Sequence, residues 1–187
     1  LVRKRFTVRH WTTEQLLQLP QCEDRRVVEA QRYLAELRSV SYISGPNLFP
    51  LIVRKQLELT LTYGHTPSLP LVLVSYGVLL AMTGDRAGAQ RFGEIALLLT
   101  DRPEFRDTRP EALFMHLNFI RHWRHPLRDG FGQLRDAVTE ALDHGDQEYA
   151  GFLGAVLLSQ YFWIGRPLAE IDEFAQTVIP EIWSQPV

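Results

Sequence analysis

The chain has 187 residues, of which 45% are apolar and 22% are charged, a composition typical of a folded globular domain rather than a disordered or fibrous chain. Its 20 basic and 22 acidic side chains give a formal charge of −2, which offers no overall positive field to a nucleic acid. The single cysteine, Cys22, excludes an internal disulfide framework and a multi-cysteine zinc site, and it fits a reducing compartment.

The predicted secondary structure is helical throughout. Glycine and proline are widely spaced, and the apolar residues between them recur with a period of about 3.6, which favours helices over strands. A glycine followed by an aspartate, at Gly84-Asp85 and Gly145-Asp146, ends one helix and caps the next. Ser68-Leu69-Pro70 and Thr108-Arg109-Pro110-Glu111 each place a proline in the first turn of a helix. The predicted helices are 12–19, 23–43, 47–63, 69–83, 85–100, 109–124, 127–144, 146–164 and 167–179.

The helix ends inside the predicted hairpins recur at a nearly constant interval. Gly45, Gly84, the His125-Pro126 break and Gly165 are separated from one another by about 40 residues, which is the period of a helix-pair solenoid. We expect the same left-handed helix stop at the three glycines. A plain helical bundle whose turns are evenly spaced is the alternative.

Large and small residues follow the pattern of a tetratricopeptide hairpin. From Tyr76-Gly77 to Ala96, small side chains are spaced so that two antiparallel helices can approach, and large side chains fill the gaps between them. We therefore predict an all-α, tetratricopeptide-like solenoid of antiparallel helix pairs, with about nine helices and a right-handed superhelix. An N-terminal arm with a short helix is expected over 1–22, and a single repeat domain of about four hairpins over 23–187.

An ordered series of short motifs covers about residues 30 to 175. The series comprises Ser41-Tyr42-Ile43-Ser44-Gly45-Pro46, Gly64-His65-Thr66-Pro67, Tyr76-Gly77, Gly84-Asp85, Arg91-Phe92-Gly93, Arg121-His122-Trp123, Pro126-Leu127-Arg128, Gly145-Asp146, Glu148-Tyr149-Ala150-Gly151 and Pro167-Leu168. It resembles the helical-repeat region of very large bacterial signalling proteins. In these proteins a serine/threonine-kinase-like domain and a STAND-class ATPase module precede the repeats, and a GAF domain and a histidine kinase or another output domain often follow.

The resemblance implies a regulatory segment that couples a nucleotide switch to an output domain. Its partners would be neighbouring domains of the same chain or a partner helix. Catalysis by this segment is not implied, because the phosphate-binding loop, the kinase catalytic loop and the D-F-G triplet do not occur in the sequence. A free-standing tetratricopeptide-type adaptor for an external partner helix is the alternative.

Candidate catalytic and metal-binding residues are few. His122 and His125 lie three residues apart and can face one ligand, but a zinc site needs three or four donors, which this helix does not supply. Asp143 and Asp146 flank a helix boundary, where capping and the helix dipole favour acids. Cys22 is expected to be a partly buried small residue at a helix start. We therefore predict no catalytic, cofactor or metal site; an all-helical enzyme using these histidines and aspartates is the less favoured alternative.

The predicted inner wall of the solenoid is apolar and aromatic. The first helix of each hairpin faces the concave side, and transferring the spacing backward from each turn places the wall. Candidate partner-binding residues on it are Val78, Met82, Met115, Phe119, His122, Trp123, Phe152, Phe162 and Trp163. The wall has no donors for a peptide carboxylate, so we expect it to be covered by another helix of the same chain, a second copy, or an amphipathic helix of a neighbouring domain. If the predicted register is shifted by one or two residues, these side chains are inter-helix core instead.

The sequence predicts a cytoplasmic protein with no membrane or nucleic-acid partner. Its strongest apolar run, 71–82, is shorter than the roughly 20 residues that a membrane-spanning helix needs. The basic start at Arg3-Lys4-Arg5 is not followed by an apolar run, so no signal peptide is expected. Because the chain begins with leucine and ends without a tail signal, we expect a segment of a longer polypeptide.

Overall fold

The computed structural model describes residues 11–45 and 47–183, and within them the chain is all-helical. The prediction of an all-α fold with about nine helices is confirmed for these residues. The α-helices are α1 (Thr13–Leu17), α2 (Arg25–Ser44), α3 (Phe49–Tyr63), α4 (Leu69–Met82), α5 (Arg86–Thr100), α6 (Arg109–Met115), α7 (Phe131–Asp143), α8 (Gln147–Trp163) and α9 (Leu168–Trp183). Within the described ranges, none of them combines the length and apolarity that a membrane span requires. Residues 1–10 of the predicted arm lie outside the described residues.

Shorter helical segments interrupt this series. 3-10 turns occupy Pro103–Thr108, Arg121–Trp123 and Leu127–Gly130, and α6 runs into one π-helical turn, His116–Ile120. The chain divides into two compact units, Leu1–Thr108 and Arg109–Val187.

The first unit is built around α4, which packs along α5 and against α3. The rings of Tyr76 and Phe92 meet edge to face with centroids 4.9 Å apart, and Ala89 and Ala96 are buried. Because these alanines are small, they allow the two helices to approach each other. A polar contact joins α2 to α3, where the Gln31 amide donates to the Thr60 hydroxyl at 3.0 Å.

An isolated parallel bridge closes the start of this unit. The His65 amide donates to the Pro20 carbonyl, and the Cys22 amide donates to the His65 carbonyl, both at 2.8 Å. Gly64 makes the turn into the bridge with a φ of +98°. Cys22 is fully buried beside it rather than partly buried as expected.

The second unit has α8 between α7 and α9. Tyr161 of α8 is buried where the three helices meet, with its ring 4.7 Å from that of Phe131 and 5.5 Å from that of Phe174. The Arg135 guanidinium donates twice to the Tyr161 hydroxyl, at 2.9 and 2.5 Å. The buried phenol therefore has a charged donor for its oxygen.

Three helix ends share one turn geometry. Gly84, Gly145 and Gly165 have positive φ, and the residue after each donates its N–H to the carbonyl five positions earlier. After the first two, Asp85 and Asp146 cap the next helix, as predicted.

Two of the expected repeat turns have a different geometry. Gly45 ends α2 with a φ of −147°, so the expected left-handed stop at this position is wrong. The His125-Pro126 break lies between 3-10 segments. The repeat period therefore does not correspond to one recurring turn.

Candidate interaction surface

Helix α8 is apolar on two faces. From Ala150 to Trp163 its sequence contains no charged residue, and the face that carries Leu153, Leu157 and Tyr161 is buried within the second unit. The opposite face forms a stripe at helical spacing, which we call the α8 stripe. The α8 stripe consists of Phe152, Ala155, Ser159, Phe162 and Trp163, all of which are exposed.

Comparison with α4 shows why this exposure is unusual. Helix α4 also lacks charged residues, but nearly all of it from Leu69 to Leu80 is buried. A helix that is apolar all round is normally covered on every side. Within the described residues, α4 follows this rule and α8 does not.

The aromatic members of the α8 stripe expose a large area. Phe152 is 45% exposed, Phe162 62% and Trp163 66%. Taking about 200 Å² for each side chain, the three leave on the order of 350 Å² accessible. This is comparable to the largest apolar patch of a typical monomer, and such patches are often functional.

Phe152 also belongs to an aromatic cluster between α6 and α8. Its ring centroid lies 5.4 Å from that of Phe114 and 5.7 Å from that of Tyr149, and Phe114 in turn lies 5.8 Å from Phe119. Phe119 is in the π-helical turn and is partly buried. The cluster fixes the position of Phe152 at one end of the α8 stripe.

An open groove of about 440 Å³ runs between α8 and α9. Gly154 allows the two helices to approach, since a Cβ added there would lie 3.3 Å from Cδ1 of Ile182 and 3.5 Å from Cγ1 of Val178. Beside this contact the groove is lined by apolar groups of Phe152, Leu158 and Ile179, among others. The groove adjoins the α8 stripe through Phe152.

The α8–α9 pair is strongly acidic. Over 147–183 the only basic residue is Arg166, and the acidic residues are Glu148, Glu170, Asp172, Glu173 and Glu181. Arg166 is engaged, with its guanidinium 3.4 Å from the Glu170 carboxylate and 4.6 Å from the centre of the Tyr161 ring. Glu148 lines the groove.

The structure divides the predicted inner wall into core and surface. Val78 and Met115 are only 2% and 8% exposed, so the expectation that they contribute accessible surface is wrong. Met82 and Trp123 are exposed, as are the predicted α8 residues. Val78 is buried because the face of α4 that carries it forms part of the core of the first unit.

His122 lies next to Trp123 in the 3-10 turn Arg121–Trp123, which follows α6 and the π-helical turn. Their ring centroids are 5.0 Å apart. The surrounding protein displaces some water from the otherwise exposed His122 ring and so lowers its pKa, and a hydrogen bond with the backbone of Asn118 acts in the opposite direction. We find these two residues at a helix end, facing one another.

The residues of the alternative catalytic site have other roles where the structure describes them. Asp146 accepts from the Tyr149 amide at 3.1 Å as the N-cap of α8. His125 and Asp143 are exposed. Across 11–45 and 47–183, no three His, Cys, Asp or Glu side chains are grouped as they would be around a metal ion.

Helix α9 also contributes to this surface, which the sequence-based prediction did not include. The predicted helix is 167–179, whereas α9 continues to Trp183 with Pro180 inside it. The apolar spacing of Ile171, Val178 and Ile182 continues across the proline and was the available signal.

No protein-family model matches the chain, and neither a curated protein nor a solved structure is significantly similar to it.

Proposed function

We propose that this chain is a non-catalytic, cytoplasmic protein-interaction segment of a multidomain signalling protein. In this role it couples a nucleotide-driven ATPase or kinase switch to an output domain by rigid-body contact. The partner is a helix of a neighbouring domain in the same polypeptide. The signalling context is supported by the resemblance of the motif series to the helical-repeat region of large bacterial signalling proteins. The interaction role is supported by the α8 stripe.

The single observation that carries the proposal is the exposure of the α8 stripe. The free energy decreases when apolar side chains leave water. Helix α8 already has a buried face that attaches it to its own unit. Phe162 and Trp163 therefore have no part in the core, and they are available for a second protein surface.

We also propose that the helices form antiparallel pairs stacked as a tetratricopeptide-like, right-handed solenoid. The close α4–α5 pair, with its buried Ala89 and Ala96, supports this arrangement. Small-angle X-ray scattering tests it, since a compact chain of this length has a radius of gyration of about 16 Å. A solenoid should give a clearly larger value, and a value near 16 Å would exclude it.

Site-specific photo-crosslinking tests the interaction role. A benzophenone amino acid replaces Trp163 in the natural full-length polypeptide, and the same group at the exposed Gln133 of α7 is the matched control. Mass spectrometry of the irradiated protein identifies the linked residues. We expect position 163 to link to one defined helical segment and position 133 to give no comparable product.

The outcomes separate the possible partners. Links within one polypeptide support coupling in cis, whereas links to a separate protein support the adaptor alternative, and links between identical chains indicate a homodimer. In a separate experiment without the crosslinker, Trp163→Asp should uncouple the output from nucleotide state, while Gln133→Asp should not. Equal labelling at both positions would refute an interaction role for the α8 stripe.

A further inference from the structure

The groove between α8 and α9 has the dimensions of a helix-binding site. Its α8 side is a row at helical spacing, Glu148, Phe152, Ala155 and Leu158, which spans about 15 Å at 1.5 Å per residue. This length matches about three turns of a docked helix. The α9 side contributes Ile179 and Ile182.

The charge around the groove selects the chemistry of its occupant. Glu148 lies in the α8 wall. On α9, Asp172 is exposed and stands two turns before Ile179, on the same side of the helix. Because the two helices are antiparallel, the two carboxylates lie toward opposite ends of the groove. An apolar groove with acidic ends fits a helix whose apolar face is flanked by basic residues.

The same charges disfavour a second copy of this chain. A two-fold symmetric dimer places the same patch of each copy against the other. The α8–α9 pair carries five acidic residues against Arg166 alone, so such a dimer would bring carboxylates together.

We propose that the α8–α9 groove binds an amphipathic helix whose apolar face is flanked by lysine or arginine side chains. The inference rests on the proposed interaction role and specifies the chemistry of the helix that enters the groove, whose lining does not include Phe162 or Trp163. Binding is of the helix-in-groove type, in which apolar anchors at i, i+3, i+4 and i+7 enter the groove. The flanking cations pair with Glu148 and Asp172 and set the orientation of the bound helix.

Fluorescence anisotropy with two designed peptides tests this proposal on the whole 187-residue chain. Both peptides carry the same leucines at i, i+3, i+4 and i+7, and one has lysines where the other has glutamates. We expect the lysine peptide to bind at least tenfold more tightly. Its affinity should fall several-fold as salt is raised from about 50 mM to about 500 mM, because screening weakens the charge pairs.

Protein variants locate the binding. Ile179→Ser removes an apolar anchor and should weaken the lysine peptide about tenfold, while Phe162→Ser, outside the groove lining, should change it less than twofold. Glu148→Gln should weaken the lysine peptide about threefold, and it should strengthen the glutamate peptide, because it removes a like-charge repulsion. Glu173→Gln removes an equal charge from α9 at a position that does not line the groove, and it should have less than half that effect. All four side chains are exposed, so each variant is expected to fold.

Other results of the peptide-binding experiment would contradict different parts of the proposal. Equal binding of both peptides, abolished by Ile179→Ser, would overturn the basic partner but leave the proposed interaction role standing. Binding that is insensitive to Ile179→Ser, or no binding of either peptide, would overturn the groove as the site. Self-association of the wild-type chain that Ile179→Ser disrupts would identify a second copy as the occupant. The proposed function itself is decided separately by crosslinking from position 163.

Discussion

Replacing Gly64 with alanine should destabilise the first unit much more than an ordinary glycine-to-alanine change. Gly64 has a φ of +98° and a ψ of −179°, a combination that only glycine adopts readily. An added Cβ would lie 2.3 Å from the Pro20 carbonyl oxygen. That oxygen accepts the His65 amide, so moving it away breaks the bridge that closes the unit.

The size of the effect follows from two contributions. The forbidden backbone conformation costs about 1–3 kcal/mol. Two hydrogen bonds form the bridge, one from the His65 amide to Pro20 and one from the Cys22 amide to His65. Losing each of them costs about 0.5–1.5 kcal/mol. We therefore expect Gly64→Ala to lower the free energy of unfolding by about 4 kcal/mol, with a fall in Tm on the order of 10 °C.

Urea unfolding followed by circular dichroism measures this loss, and two glycines provide controls. Gly84 has a φ of +88° but no neighbour within 4 Å of an added Cβ, so Gly84→Ala isolates backbone strain at about 1–2 kcal/mol. Gly132 lies in α7 with open space and no positive φ, so Gly132→Ala should gain about 0.5 kcal/mol. If Gly64→Ala costs no more than Gly84→Ala, the clash with Pro20 does not constrain the fold.

Four further substitutions test other parts of the structure. Tyr161→Phe removes the acceptor of the Arg135 guanidinium and should cost about 1–3 kcal/mol in urea unfolding; no loss would mean that the pair contributes nothing. Burial lowers the pKa of His65, so below about pH 6.5 the unfolded chain binds more protons than the folded chain. The free energy of unfolding should therefore decrease from about pH 7 to about pH 5, and less steeply in His65→Phe; identical profiles would contradict this. Val78→Asp should unfold the first unit, whereas Trp163→Ser should change thermal stability by less than about 0.5 kcal/mol, because only the former side chain is buried.

Helix ends were predictable from the sequence where local chemistry determines them. At Gly84-Asp85 and Gly145-Asp146, the glycine takes a left-handed conformation and the aspartate accepts from a backbone amide three residues on. Both interactions involve residues close in sequence, so the pattern contains all the information. Gly64 is different, because its conformation depends on a bridge between His65 and residues 20–22 that no local pattern reveals.

Only some of the residues assigned to the predicted wall are accessible, because the register of a helix face depends on tertiary structure. Helical spacing from Met115 through Phe119 to His122 assumed a continuous α-helix, but a π-helical turn occupies His116–Ile120. Such a turn adds a residue and rotates the side chains that follow it relative to those before it. Met115 therefore faces the core while His122 is exposed. Residues after Gly145 have no such interruption, and Phe152, Phe162 and Trp163 are exposed together as the prediction required.

The area of the α8 stripe favours a partner within the same polypeptide. About 350 Å² from the three aromatic side chains, matched by an equal area on a partner, buries on the order of 700 Å². Stable interfaces between free proteins bury about 1,200–2,000 Å². Association also costs about 4–15 kcal/mol in lost translational and rotational freedom, so this surface would hold a free protein only weakly. A tethered domain has an effective concentration in the millimolar range, which is enough to populate a weak contact while still letting it open and close. A contact of this strength would suit the proposed coupling role, because a change of a few kcal/mol in a neighbouring domain would be sufficient to make or break it.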